Sequence, residues 1–219
     1  MKKWISLLIN IFIAYMAPRT WLRMVFVFED SRLTSTGLGS LKYFTILSNL
    51  LMGLASLIYV IGILTRRGAR RKTGWAEVLK CVATASVTLT LVTVLVFLGP
   101  LYGYRAMFSG VNFWLHAVIP LLAIIDLMFL DTEVRYELGA TFASIVPMIL
   151  YGIFYLGNIL INGRGEWPNT NDWYGFGQWG IPVMLVIFVI ISVLTWLMSL
   201  GLVIVHNGMT RDVDRIHRY

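Results

Sequence analysis

The sequence predicts an all-α, polytopic membrane protein: one bundle of six transmembrane helices with both termini in the cytoplasm. Three observations predict it. Of the 219 residues, 58% are hydrophobic and only 13% charged, too little charge to cover the surface of a soluble domain. Long apolar segments recur near 4–28, 40–64, 75–99, 112–131, 137–163 and 178–206. Each can cross a hydrocarbon core of about 30 Å. Finally, the basic residues gather in alternate connections, as the positive-inside rule requires. The segments must be helical, because lipid cannot satisfy exposed amides and no alternating barrel pattern is present. The length suits a single domain over residues 1–219.

In chain order, the first span is the least regular. Lys2 and Lys3 precede a clean apolar run, which Pro18, Arg19 and Arg23 interrupt. Pro18 removes a helix hydrogen bond and predicts a kink. The run lacks a good small-x-small cleavage site, so a retained helix is expected rather than a signal peptide. After the second span, residues 66–73 (RRGARRKT) carry five basic residues and no acid. Arg211, Arg215 and Arg218 follow the sixth span. With six spans, these regions and Lys2–Lys3 share one side, which the charge bias assigns to the cytoplasm. The connections near 29–39, 100–111 and 164–177 then face outward. Residues 164–176 (RGEWPNTNDWYGF) form the longest outer loop, with Trp167 and Trp173 expected at the interface. Its asparagines, glycines and Pro168 are turn chemistry. No repeat or low-complexity tract appears.

Cys81 is the only cysteine, so an internal disulfide and a cysteine-based metal site are excluded. In its apolar helix an inert core thiol is expected. No metal cluster or cofactor motif is present, and none is predicted. The net charge of +7 is explained by membrane topology. No nucleic-acid-binding pattern accompanies it, so nucleic acid is not an expected partner. A lipid substrate and the bilayer are the expected partners, in the cell membrane. The sequence leaves the oligomeric state open.

Two polar residues stand at matched depth. Thr45 and His116 each lie about four residues into their spans, roughly 6 Å along the helix axis. Polar groups inside a membrane helix are costly and usually face protein or a wet cavity. A hydroxyl and an imidazole at one level predict a nucleophile and its base. Thr45, Ser48 and Asn49 share one helix face by i, i+3, i+4 spacing, and Asn112 and His116 are i, i+4. Pro120 cannot donate to the His116 carbonyl, which predicts a local kink or a water. Tyr151, Tyr155, Asn158 and Asn162 form a polar stripe on the fifth helix. Ser48, Asn49, Asn112, Tyr155, Asn158 and Asn162 are therefore substrate-binding or oxyanion candidates. The competing reading of the serine and asparagines is interhelical hydrogen bonding. For Thr45 it is a bond to its own helix carbonyl. Arg19 is a candidate grip for a lipid phosphate or carboxylate, against snorkelling to the interface. Asp126 lies about 15 Å deeper than His116, too deep to orient it, and stays outside the catalytic set.

At these residues the chain resembles a known family. YFTILSNLL (43–51) and NFWLHAVIPLLAIIDLMF (112–129) look like the two signature segments of the androgen-induced-protein family, in its bacterial branch. Those members are six-helix membrane proteins with the same Phe-Thr-x-x-Ser-Asn and Leu-His-x-x-x-Pro patterns. DWYGF (172–176) is similar to the aromatic segment before the last helix, where the family more often has Tyr-Pro. The resemblance implies an intramembrane threonine hydrolase. Animal members cleave fatty acid esters of hydroxy fatty acids, and their catalytic threonine and histidine match Thr45 and His116. A related family transfers acyl groups with a cysteine nucleophile, and Cys81 does not match that position. The expected function is thus a lipid-ester hydrolase or an acyltransferase variant. The alternatives are a non-catalytic lipid-binding or sensory membrane protein and a small-solute transporter.

Overall fold

The computed structural model describes residues 1–26, 37–65, 74–131, 134–166 and 170–216, with no side-chain description beyond Thr210. The 66–73 loop, Arg32, Trp167, Pro168 and Arg218 lie outside the described residues, as do the side chains of Arg211 and Arg215. Among the described residues, six helices are long and apolar enough to cross a membrane: α1 (Lys2–Phe26), α2 (Phe44–Thr65), α3 (Trp75–Tyr102), α4 (Gly110–Leu130), α5 (Leu138–Asn162) and α6 (Ile181–Thr210). They run alternately up and down. The end of the bundle carrying Lys2, Thr65, Trp75 and Leu130 is here the near end. The end carrying Phe26, Phe44, Gly110, Asn162 and Ile181 is the far end. Each span matches its expected segment to within a few residues. Their outward faces carry large exposed apolar side chains such as Leu8, Leu54, Ile61, Leu150, Ile153 and Val189, as a lipid-facing surface requires.

Helix α3 is the axis of the bundle. It packs against α2, α4, α5 and α6, while α1 lies on α2 and α4. Its sequence explains this position: KCVATASVTLT is rich in small residues that let neighbouring backbones approach. Thr84, Ser86 and Thr88 each donate to the carbonyl four residues back, at 2.7–2.9 Å. Their hydroxyls are thereby satisfied inside the core. The α1–α2 contact is similarly close. A Cβ placed on Gly53 would stand 3.0 Å from Ala17 Cβ and 3.5 Å from Pro18 Cδ. Pro18 is accommodated within an otherwise continuous α1.

Among the described residues, three π-helical turns interrupt the helices, at Val94–Leu98, Trp114–Val118 and Asp126–Leu130. Two have the same cause. Pro100 and Pro120 lack an N–H, and the preceding Gly99 and Ile119 reach five residues back, to the Val94 and Trp114 carbonyls. The irregularity expected at Pro120 is therefore a π turn, and His116 sits in its middle. In the third turn Asp131 N–H binds Asp126 O, 3.0 Å. His206 of α6 then takes the Leu127 carbonyl at 2.6 Å and the Val134 carbonyl at 2.6 Å. This ties α6 to the end of α4.

Candidate functional site

Thr45 stands in the first turn of α2 at the far end, half-buried. Tyr174 Oη accepts the amide of Phe44 at 3.1 Å, closing the helix start against the 170–180 loop. The carbonyl of Thr45 is held by Asn49 Nδ2 at 2.7 Å and Ser48 Oγ at 3.1 Å. Its hydroxyl, by contrast, makes no hydrogen bond among the described residues. It does not bond its own helix, unlike Thr84, Thr88, Thr195 and Thr210. Instead Thr45 lines a narrow apolar cavity of about 60 Å³ between α2, α3, α5 and α6. Thr93, Leu89, Met148, Tyr174 and Phe188 are among its walls.

His116 is buried on α4. Its Nδ1 lies 2.8 Å from the Met107 carbonyl. A carbonyl only accepts, so Nδ1 carries a proton. In the neutral ring Nε2 is then the basic nitrogen, and Nε2 has no hydrogen-bond partner among the described residues. The π turn that presents His116 packs against α1, α2 and α3. Asn49 Nδ2 also donates to Leu115 O at 3.1 Å, joining α2 to α4 one residue from His116. The two helices therefore touch at the level of the pair. No hydrogen bond joins Thr45 to His116 themselves. His116 is not among the residues that line the Thr45 cavity.

The other candidates divide. Asn49 spends both amide protons on the Thr45 and Leu115 carbonyls, so it positions helices and is not a spare oxyanion donor. Ser48 Oγ lies 3.0 Å from Thr90 Oγ1, linking α2 to α3. Asn112 donates to Ala106 O at 3.3 Å. The buried oxygens Asn49 Oδ1 and Asn112 Oδ1 have no partner, a condition that in native proteins points to water or ligand. Tyr155 binds the Asp172 carboxylate instead of the cavity. Asn162 Nδ2 pairs with Asn158 Oδ1 at 2.9 Å on an exposed helix end. Arg19 is exposed beside Tyr15, Leu22 and Arg23 in a groove on the outer side of α1. The structure does not bring it to Thr45, and snorkelling is its simpler role.

The 170–180 loop forms a lid at the far end. Asp172 is its pin, accepting from Tyr155, from Arg164 at 3.3 Å and from Gly177 N–H at 3.1 Å. Gly177 permits this, since a Cβ there would meet Asp172 Oδ2 at 3.0 Å. Gly175 turns the chain with φ +72°, a conformation glycine adopts without strain. Trp173 Nε1 donates to Tyr151 Oη at 2.9 Å, and Tyr151 donates to Lys42 O at 2.7 Å. Burial pushes the Tyr174 hydroxyl up to about 12, so it stays protonated at neutral pH. Burial lowers Lys42 from its ordinary value; its ammonium lies 5.3 Å from the Trp173 ring centroid.

A second polar cluster gathers Asp126 and Asp131 at the near end, around a lysine that the sequence does not single out. Lys80 Nζ is fully buried, 2.6 Å from Asp126 Oδ2 and 2.9 Å from Asp131 Oδ2. It lies 3.6 Å from the Tyr59 ring centroid. Tyr59 donates to Asp131 at 3.0 Å, and Asn10 Nδ2 to Asp126 at 2.7 Å. Three helices, α1, α2 and α3, are thus joined to the end of α4. Asp126 is held in this knot, away from Thr45 and His116. No group of three or more potential metal-ligating side chains occurs among the described residues. No family model, curated protein or solved structure matches the chain.

Proposed function

We propose that the protein is an integral membrane lipid-ester hydrolase in which Thr45 is the nucleophile and His116 the general base. One observation carries the reading. Thr45, whose hydroxyl has no hydrogen-bond partner among the described residues, lines an apolar cavity, while His116, on the neighbouring helix and outside that lining, is anchored through Nδ1 with Nε2 left as its base. The Phe-Thr-x-x-Ser-Asn and Leu-His-x-x-x-Pro resemblance supports the same pair.

In this mechanism Thr45 Oγ1 attacks the ester carbonyl as His116 Nε2 takes its proton. The Met107 carbonyl holds Nδ1–H and fixes the ring's tautomer, the task an acid performs in the serine triads. With Asn49 committed to two carbonyls, the donor to the developing oxyanion is Thr45's own amide, since Phe44 N–H is taken by Tyr174 Oη and the Ile46 and Leu47 N–H groups by the Tyr43 carbonyl. Helix N-termini leave such N–H groups without intrahelical acceptors. His116 then gives its proton to the departing alcohol, leaving an acyl ester on Thr45. Water, deprotonated by His116, attacks that ester, releases the acid and restores the hydroxyl. An acyl acceptor in place of water would make the same site a transferase. Fatty acid esters of hydroxy fatty acids are the substrate class that the resemblance implies. The basic sequence of residues 66–73 supports a cytoplasmic near end and a site close to the outer leaflet.

The test is ester cleavage by purified wild type, Thr45→Ala and His116→Ala in lipid. Loss of a general base costs about 10²–10⁴ in rate. Both variants should fall by at least about 100-fold while remaining folded. Equal activity in all three would remove the mechanism.

A further inference from the structure

A second concavity lies on the outer flank of the bundle, between α2 and α5. Leu47, Leu51, Pro147, Leu150 and Phe154 line it, and it measures about 220 Å³. Leu47, Leu150 and Phe154 are exposed, so it opens sideways, where a spanning bundle meets acyl chains. Phe44 and Tyr151 border both this groove and the Thr45 cavity. Their rings meet edge to face, 5.2 Å between centroids. The backbones of α2 and α5 hardly approach one another, so side chains close the space between these helices.

The groove's only polar side chains are already engaged. Ser48 Oγ is bonded to the Thr45 carbonyl and Thr90, and Tyr151 Oη to Lys42 O and Trp173. Nothing is left to recognise a polar head group. The volume is also far below that of a helix about 10 Å across. A hydrocarbon chain fits both limits. We propose that this groove is a lateral port that binds one acyl chain of a membrane lipid, with the Phe44–Tyr151 ring pair as its gate to the Thr45 cavity. That the chain belongs to an ester cleaved at Thr45 rests on the function proposed above; that the groove holds a hydrocarbon chain does not.

The test is photo-crosslinking of the full-length protein in lipid nanodiscs with methyl palmitate carrying a chain diazirine, followed by peptide mapping. Adducts should concentrate on residues 47–51 and 147–154, in wild type and in Thr45→Ala alike. Leu150→Trp fills the groove from its lipid side, where an indole is tolerated. It should remove most of this labelling, because the indole occupies the space the chain would fill. Leu47→Trp is the second variant, and unchanged thermal unfolding shows that each is folded. Labels spread evenly over the exposed faces of α1 and α6, or labelling unaffected by both tryptophans, overturns the port. Groove labelling together with no ester cleavage by wild type would sustain the port and remove the hydrolase instead.

Discussion

Replacing Lys80 by methionine tests the near-end knot. The ammonium is fully buried between two carboxylates, at 2.6 and 2.9 Å, and lies 3.6 Å from the centroid of the Tyr59 ring. Methionine matches much of its length but removes the charge that faces both Asp126 and Asp131. Removing one partner of a buried ion pair costs about 3–5 kcal/mol. For a chain of this size each kcal/mol moves the unfolding midpoint by about 2–4 °C. The expected fall is thus about 6–20 °C, read by tryptophan fluorescence during heating in detergent. Neutralising the acids as well, in Lys80→Met/Asp126→Asn/Asp131→Asn, should recover most of it, because no uncompensated charge then stays buried. A fall of under about 2 °C, or a triple variant no better than the single, would refute the claim that Lys80 is held by desolvated charge.

Three further outcomes follow from the geometry. Pro120→Ala restores the donor whose absence creates the π turn, so the turn should revert to α-helix and rotate His116; ester turnover should drop about tenfold or more, as misplaced catalytic groups do, with thermal stability kept or raised. Gly53→Val places branched carbon against Ala17 and Pro18 and should cost about 1–3 kcal/mol by overpacking, seen as a lower midpoint in the same melt. Asp172→Asn weakens the charge-assisted bonds to Arg164 and Gly177, worth about 1.5–3 kcal/mol apiece; limited proteolysis within 163–180 should accelerate, and an unchanged cleavage rate would show that Asp172 does not pin the lid.

Much of the architecture was legible because the bilayer leaves few choices. A run of some twenty apolar residues must be helical, so all six spans could be read close to their observed limits. Pro120 was equally legible, since a missing donor has a local consequence. Pairing across the bundle was not. Asp126 and Lys80 are 46 positions apart, and nothing in either segment announces the partner. The polar stripe on α5 had the right periodicity but several destinations. Tyr151 reaches Lys42 and Trp173, Tyr155 turns to Asp172, and Asn158 and Asn162 pair with each other. Periodicity names a shared face, not what that face meets. Asn49 shows the same gap: a free amide and one consumed by two carbonyls look identical in sequence. The cavity walls, Thr93, Met148 and Phe188 among them, are common membrane residues that become a site only through packing.

The central claim is that Thr45 carries the acyl group during turnover. Intact-mass spectrometry of the protein after brief exposure to p-nitrophenyl palmitate tests it most directly. Wild type should gain one palmitoyl group, mapped to the peptide containing Thr45, absent from Thr45→Ala and strongly reduced in His116→Ala. An adduct that persists in Thr45→Ala, or ester cleavage by wild type with the acyl group on another residue, would contradict it.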